Sequence, residues 1–445
     1  MGPGLLLLFI VGDILGTGIY ALTGKVANLV GGAVWVPFVV AFAVAMITAF
    51  SYMELVTKYP QAAGAALYTH KAFGLHFVTF MVAFAVMCSG ITSAATASRA
   101  FAANFANAFE LHIAGAGGWI TVIGLLFMTA CALINFRGVG ESVKLNVVLT
   151  VVELTGLLII IGIGLWALGF GHGDFGRVND FGTGGRGAVG GVIAATTLAF
   201  YAMIGFEDSV NMAEECKRPN KIFPRMLFLG LMITGTVYVL VAITAIALVP
   251  PAELGQGDTP LLQVVKAGAP HFPLHVFAFI TIFAVANSAL INMLMASRLL
   301  YGMARQGVIP HHLGIVHRRR RTPYLAIGFT TLLAFGLILF VGDVPELGGT
   351  TALLLLGVFT VVNVAVLVLR RDPVDHDHFR TPTALPVVGA LSCGFLVLPV
   401  TGRPAVQYGI AAVLLGLGLL LWAATYTLNN RHGIHSAAFD PQALE

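Results

Sequence analysis

Apolar residues run along this chain in long unbroken blocks. They show neither the alternation of a half-buried strand nor the single stripe of a surface helix. Eleven segments of 20 or more residues hold no Lys, Arg, Asp or Glu: 26–53, 72–98, 111–136, 154–173, 187–206, 226–252, 267–297, 322–342, 347–369, 381–402 and 404–430. A twelfth, 2–24, holds only Asp13. A bilayer core needs about 20 apolar residues per helix. The pattern therefore predicts an all-α integral membrane protein of about twelve transmembrane helices. Runs this long and continuous exclude a transmembrane β-barrel.

Composition points the same way. Of the 445 residues, 58% are hydrophobic and only 10% charged, where a soluble domain carries about 25% charged residues. An ordinary soluble enzyme, a disordered chain and a disulfide scaffold are all excluded. Cys88, Cys131, Cys216 and Cys393 lie far apart with no CxxC pair, so neither disulfides nor a zinc site is expected. The GxSxG, HExxH and Walker A patterns are missing. No metal, cofactor or nucleotide-driven step is implied.

The basic residues set an orientation. Assigned to alternating loops, 18 Lys and Arg fall on one side and 6 on the other. Cytoplasmic loops are the richer in these residues. Both termini are thus expected in the cytoplasm, in a multi-pass protein of the plasma (inner) membrane. Arg318, Arg319, Arg320 and Arg321 read as a topology anchor rather than as a nucleic-acid patch. Segment 2–24 has no basic n-region and no closing small-residue cleavage site. It reads as a retained helix, not a signal peptide. It starts so early that a short cytoplasmic tail ahead of it is expected.

Two of the spans are interrupted in matching places. Span 1 carries Gly12, Asp13, Gly16, Thr17 and Gly18, and span 6 carries Gly205, Glu207 and Asp208 beside Phe200 to Phe206. Glycine also serves close helix packing in membranes. Interruptions at corresponding positions of two halves, however, point to a transporter site. Five spans per half is an odd number, so the halves must have opposite topology. Spans 1–5 (residues 1–170) and 6–10 (187–371) are expected as inverted repeats. Spans 11 and 12 (381–430) are appended, and 431–445 form a cytoplasmic tail.

Unwound backbone at membrane depth is tolerated only where it lines a cavity or is buried in protein. The outer half of span 1 should start near Gly18 and aim free N–H groups at the break, an end that suits a carboxylate. The inner half should end near Ile14 and Leu15. The outer half of span 6 should end near Phe200 to Met203. Both of these ends present carbonyls, which suit an ammonium group. The pair of ends matches an α-amino acid zwitterion.

At these residues the chain resembles the amino acid–polyamine–organocation superfamily, most of all its bacterial amino acid permeases and cationic amino acid transporters. Gly12 to Tyr20 resembles the family's span 1 signature. Tyr52-Met53-Glu54-Leu55, then Tyr59-Pro60-Gln61-Ala62-Ala63-Gly64, resembles the loop after span 2. Phe206-Glu207, Ala213-Glu214-Glu215 and Arg218-Pro219-Asn220 resemble the span 6–7 region. Ser297 to Tyr301, Ala304 to Gly307 and Pro310 resemble the end of span 8, with Thr322-Pro323 following. The resemblance implies a five-plus-five inverted-repeat transporter with discontinuous helices 1 and 6 and substrate held at the breaks. Carried over by motif, Gly16, Thr17 and Gly18 would meet the substrate carboxylate. Ile14, Leu15, Phe200, Tyr201 and Ile204 would offer carbonyls to the amine. Tyr201, Met203 and Ile204, beside Gly205, would shape the pocket, and Phe206 would be a gate or simply a packed aromatic.

Ionisable groups at membrane depth are functional hypotheses by default. Glu153 follows Val151-Val152 on span 5 and precedes 20 uncharged residues. Some proton-coupled permeases of this family carry a lysine on span 5, and Glu153 stands in that neighbourhood here. The carboxyl can carry a proton itself, pair with a basic residue or lie at the cytoplasmic interface. Asp13 is expected to cap or tether the inner half of span 1. Glu207 and Asp208 are expected as N-caps of the inner half of span 6. Asn287, Ser288 and Asn292 on span 8 either line the pathway or bond between helices. The histidines, His311, His312, His376, His378, His432 and His435 among them, read as solvated loop residues, and Asp375 to His378 as interfacial polar filler.

The expected function is secondary active transport of an amino acid by alternating access, through proton symport or amino acid exchange. The alternative is transport of a polyamine or other organic amine, which would need carboxylates in the pocket. Spans 3, 8 and 10 supply none, which favours neutral or apolar amino acids. A membrane enzyme lacks a catalytic constellation here, and a channel would not need inverted halves. The expected partners are the small-molecule substrate, a co-transported proton and the lipid bilayer, with no nucleic acid.

Overall fold

In the computed structural model, residues 2–61, 64–109, 116–138, 143–171, 173–182, 186–213 and 216–431 are described. Ala62, Ala63, Glu214, Glu215, His432, His435 and the tail beyond Arg431 lie outside them. Among the described residues all regular structure is helical.

Twelve segments follow the twelve apolar blocks. Span 1 is Pro3–Ile14 and Thr17–Val30, span 2 Trp35–Lys58, span 3 His76–Ala108, span 4 Ala116–Arg137 and span 5 Val143–Gly169. Span 6 is Gly187–Ala199, carried on by 3₁₀ turns at Phe200–Met203 and Asp208–Met212. Span 7 is Pro219–Leu248, span 8 Leu274–Arg305, span 9 Tyr324–Phe340, span 10 Val344–Leu369, span 11 Ala384–Val397 and span 12 Ala405–Arg431. Ten of these are long and apolar enough to cross a bilayer, and spans 9 and 11 are shorter apolar helices. The molecule is a multi-pass, all-α membrane protein. Many of these helices are apolar all round, as helices immersed in protein and lipid must be.

The packing has a regularity. Span 1 lies against span 6, span 2 against span 7, span 3 against span 8 and span 4 against span 9. Four of the first five spans thus touch the one five places on, while span 5 packs on spans 1, 7 and 8 instead of span 10. Spans 1 and 6 are among the most enclosed, and spans 4 and 12 show most apolar surface to the lipid.

Polar contacts gather at the two ends. At the Lys58 end of span 2, Arg370 donates from Nε and Nη2 to both carboxylate oxygens of Glu54, at 2.9 and 2.7 Å. The Thr381 N–H adds a third bond to Glu54. Lys58 reaches the carbonyls of Leu369 and Asp372, and Tyr59 donates to Asp372 at 2.7 Å. Burial and that bond hold the Tyr59 phenol above its ordinary range. His376 meets the Thr57 carbonyl, and Asn220 donates to the Asp377 carbonyl. The Asp375 to His378 segment is therefore no polar filler: it is a strap joining spans 2, 7 and 10.

At the opposite end, two connections cover the last turns of span 1. Gly24 packs against the Leu254 carbonyl, where a Cβ would collide. Asn28 reaches the Gly255 carbonyl, and Lys25 faces Asp258 at 3.7 Å. Asp180 accepts from the N–H groups of Gly32 and Ala33. Arg403, which separates the charge-free blocks 381–402 and 404–430, is buried. It donates to the carbonyl of Gly349 and to Gln407 at 2.7 and 2.8 Å. A span end rich in helix-terminal carbonyls can take up a guanidinium without a carboxylate.

Candidate functional site

The interruption of span 1 is short. The first helix stops at Ile14, its next residue still donating to Val11. Leu15 and Gly16 are extended, and the second helix starts at Thr17 with Gly16 as its N-cap. No side chain caps it, so its first N–H groups face the break unpaired by the helix itself.

The interruption of span 6 is longer. Regular helix ends at Ala199 and tightens to 3₁₀ through Met203. Ile204 is extended and Gly205 has φ +120°, a conformation open to glycine but strained for other residues. A Cβ on Gly205 would also fall on the Asp13 carbonyl oxygen. The two breaks are thus in direct backbone contact. The inner half of span 6 is a 3₁₀ segment, Asp208–Met212, with no side-chain cap at Glu207. The expectation of a carboxylate capping a regular inner helix is corrected. Glu207 turns back and accepts from the Gly205 N–H at 2.9 Å, because the break itself leaves the donor that most needs a partner.

One cavity lies between the breaks. Of the substrate-site residues expected from the sequence, Ile14, Gly16, Thr17, Gly18, Tyr201, Ile204 and Gly205 line it. Span 3 adds Ser89, Gly90 and Ser93, span 8 adds Ser288, Asn292 and Met295, and span 10 adds Thr351 and Leu355. Tyr201 and Ser93 join hydroxyls at 3.1 Å, as do Thr92 and Thr351 at 2.7 Å.

Leu15, Phe200, Met203 and Phe206 do not line it. All four are buried among other side chains. Phe206 stacks edge-on to Tyr52 at 5.7 Å and beside Phe359 at 5.3 Å. It is a packed aromatic in this conformation. Side chains of adjacent residues in a helical or 3₁₀ stretch point to different faces, so a break that lines a cavity with some of its residues must turn others away.

A second correction concerns charge. Asp13, Glu207 and Asp208 all line the cavity. Spans 3, 8 and 10 supply no carboxylate, as read from the sequence, yet the broken spans supply three. The signal was present in the residues flanking each break.

Both readings of the glycines hold at once. A Cβ on Gly18 would lie 2.5 Å from the Ala202 Cα, so Gly18 lets spans 1 and 6 meet while it faces the cavity. A Cβ on Gly16 would meet only the Ser288 hydroxyl, at 2.8 Å, which can rotate away.

The carbonyl end of span 1 is already engaged. The Tyr238 hydroxyl of span 7 donates to the Ile14 carbonyl at 2.8 Å. The Tyr20 hydroxyl donates to the Glu153 carbonyl, also at 2.8 Å. Glu153 is fully buried beside these tyrosines, and neither carboxyl oxygen has a hydrogen-bond partner. Its sequence-level alternatives narrow. It is enclosed by protein, and no basic side chain pairs with it among the described residues. It does not line the cavity. Asn287 is buried outside the lining, while Asn292 bonds back to the Ser288 carbonyl.

The amino acid permease family model matches residues 6–420. The chain is similar to the branched-chain amino acid permease BcaP of Bacillus subtilis, 25% identical over 409 residues, 87% of this chain and 85% of that protein. It is similar to the methylthioribose transporter of Bacillus subtilis, 26% identical over 433 residues, 94% of this chain and 89% of that protein. A third relative is the vacuolar cationic amino acid transporter 2 of Arabidopsis thaliana, 28% identical over 379 residues, 82% of this chain but 59% of that longer protein. With a matched model over nearly its whole length, two broken spans in contact and a polar cavity between them, this chain belongs to the amino acid permease family of the amino acid–polyamine–organocation superfamily.

Proposed function

We propose that this protein is a secondary active transporter of amino acids in the plasma membrane, working by alternating access, with both termini in the cytoplasm. One observation carries the reading: two breaks face one cavity with opposite polarity. Thr17 and Gly18 open a helix at its N-terminal, positive end. Ile204, Gly205 and the carboxylates of Asp13, Glu207 and Asp208 give the other wall its negative character. A zwitterion spans such a site with its carboxylate at Gly16 to Gly18 and its ammonium toward the opposite wall.

The repeats are residues 1–170 and 187–371, a division supported by the packing of spans 1, 2, 3 and 4 on spans 6, 7, 8 and 9. In this conformation Gly24 of span 1 is packed against the Leu254 carbonyl, while Asp208, Met295 and Leu299 of the cavity lining are partly exposed. That combination suits a substrate site facing the cytoplasm. Phe206 closes the path only in a conformation that draws it out of the Tyr52–Phe359 cluster.

Glu153 is the proton-coupling group in this reading. An ionised carboxylate with no partner in the interior is costly, by at least about 2.5–3.5 kcal/mol on insertion scales. A proton removes that cost. Tyr20 of span 1 bonds to the Glu153 backbone carbonyl and Tyr238 to the Ile14 carbonyl, which links the state of Glu153 to the break.

The three cavity carboxylates also favour the second reading, transport of an organic amine without a carboxylate. Thermal stabilisation of the purified protein by a panel of L-amino acids and polyamines, at two pH values, separates the two. Stabilisation by amino acids but not by the matching decarboxylated amines is expected. Equal stabilisation by amines alone would overturn the zwitterion site. For coupling, uptake into proteoliposomes is expected to follow an imposed pH gradient and to lose that dependence in Glu153→Gln while binding persists.

A further inference from the structure

The connection between spans 8 and 9 holds a basic cluster that the transport cycle does not use. His317 to Thr322 closes on itself as a tight turn. The His317 N–H donates to the Thr322 carbonyl at 2.9 Å, and the Arg321 N–H donates to the His317 carbonyl at 2.8 Å. The turn is docked on the end of span 4. Thr322 donates to the Phe136 carbonyl at 3.1 Å, and the rings of Phe136 and His317 meet edge-on at 5.3 Å. Gly138 passes close to the Arg320 carbonyl, where a Cβ would lie at 3.3 Å. Its tip presents Arg318, Arg319, Arg320 and Arg321, all exposed, with the exposed Arg137 on the neighbouring helix end.

Among the described residues none of these five guanidinium groups forms an ion pair. Beside them the surface is apolar and faces outward: Leu133 is 57% exposed, and Ile315, Val316 and Tyr324 are exposed as well. A soluble partner would meet charge and grease in one patch at the rim of the membrane. A phospholipid carries both chemistries in one molecule, with a phosphate for the guanidinium fork and acyl chains for the apolar wall.

We propose that the span 4–span 9 rim is a binding site for an anionic phospholipid. The turn fixes the backbone that carries the arginines, so the phosphate is met by a preset cluster rather than by a mobile tail, and the headgroup supplies a counter-charge that no described residue provides. A topology anchor requires only positive charge; this proposal requires a folded turn and a lipid-facing wall beside it.

The test uses the whole protein purified in neutral detergent. Retention of phosphatidylglycerol, phosphatidylcholine of the same chains, and inorganic phosphate is read by native mass spectrometry. Phosphatidylglycerol is expected to be retained in preference to both others, and increasingly so at low salt. The variant with Arg318, Arg319, Arg320 and Arg321 all replaced by Gln is expected to lose tenfold or more of that affinity, since each arginine near anionic lipid is worth about fivefold. Because neutralising four arginines can disturb insertion, the wild-type protein is also labelled with photoreactive phosphatidylglycerol. Cross-links are expected within residues 133–138 and 315–324. Cross-links confined to other segments, equal retention of phosphatidylcholine, or retention of inorganic phosphate as strong as that of the lipid would overturn the proposal.

Discussion

The two breaks do the same job with different physics. In span 1 the backbone leaves the helix for two residues only, Leu15 and Gly16, and regular α-helix resumes at Thr17. In span 6 the helix loosens to 3₁₀, extends at Ile204, turns at Gly205 and never regains regular α form before Met212. Their hydrogen bonds are satisfied differently as well. The span 6 break is closed from within, by the Glu207 carboxylate on the N–H two residues back. The span 1 break is closed from outside, by the Tyr238 hydroxyl of span 7 on the Ile14 carbonyl. A break held locally is written into its own segment. A break held by a distant helix moves when that helix moves. Span 1 is therefore expected to be the break that packing between spans opens and closes, and span 6 the one that keeps its shape.

The sharpest way to break this comparison is at Gly205. Its φ of +120° and its contact with the Asp13 carbonyl leave no room for a side chain. Gly205→Ala is expected to cost about 2–3 kcal/mol, and to abolish uptake in proteoliposomes with a clear fall in melting temperature. A variant with ordinary transport would mean that the break does not hold its shape.

Next in size is Glu207→Ala, which leaves the Gly205 N–H buried and unpaired. A loss of about 1–3 kcal/mol is expected, seen as lower stability together with weaker substrate-induced stabilisation. Glu207→Gln keeps an acceptor and should recover the stability. If both variants behave alike, the carboxylate is not holding the break.

Tyr238→Phe removes the outside support of span 1. About 1 kcal/mol is expected, and here the effect should fall on transport rate more than on melting temperature, because this break is the one that moves. A change in stability with rate untouched would reverse the roles assigned to the two breaks. Gly16→Ala is the smallest change. Its Cβ meets a single rotatable hydroxyl on Ser288, so binding measured by isothermal titration should weaken only a few-fold, with folding unaffected.

Much of this was legible in the residues. Eleven charge-free blocks and a twelfth holding only Asp13 marked the twelve spans, because a helix in lipid must be apolar along its membrane depth. The helix ends, however, run past the blocks by up to about ten residues where charged turns continue the helix, as at Val143 of span 5 and Ala108 of span 3. Both breaks were legible because glycine beside acidic residues recurs at matching places in the two halves, which helix packing alone does not require. Seven of the residues picked around the breaks line the cavity. Leu15, Phe200, Met203 and Phe206 were picked with them and point elsewhere, since adjacency in sequence does not fix a face once the helical period is lost. The span 3 and span 8 walls, Ser93 and Ser288 among them, went unselected or undecided, because isolated serines are common in membrane helices and carry no pattern.

The sequence by itself determined the fold class, the number of spans and the places where two of them stop being helices. These depend on burial in lipid and on backbone chemistry within a single segment, and both act over a few residues. Only the tertiary structure decided which carboxylates share a cavity, which aromatic rings pack away from it, that Arg403 is buried, and that the Glu153 carboxyl has no hydrogen-bond partner among the described residues. Each of those facts depends on contacts between segments far apart along the chain. Their proximity follows from how helices pack against one another, which no local pattern of residues records.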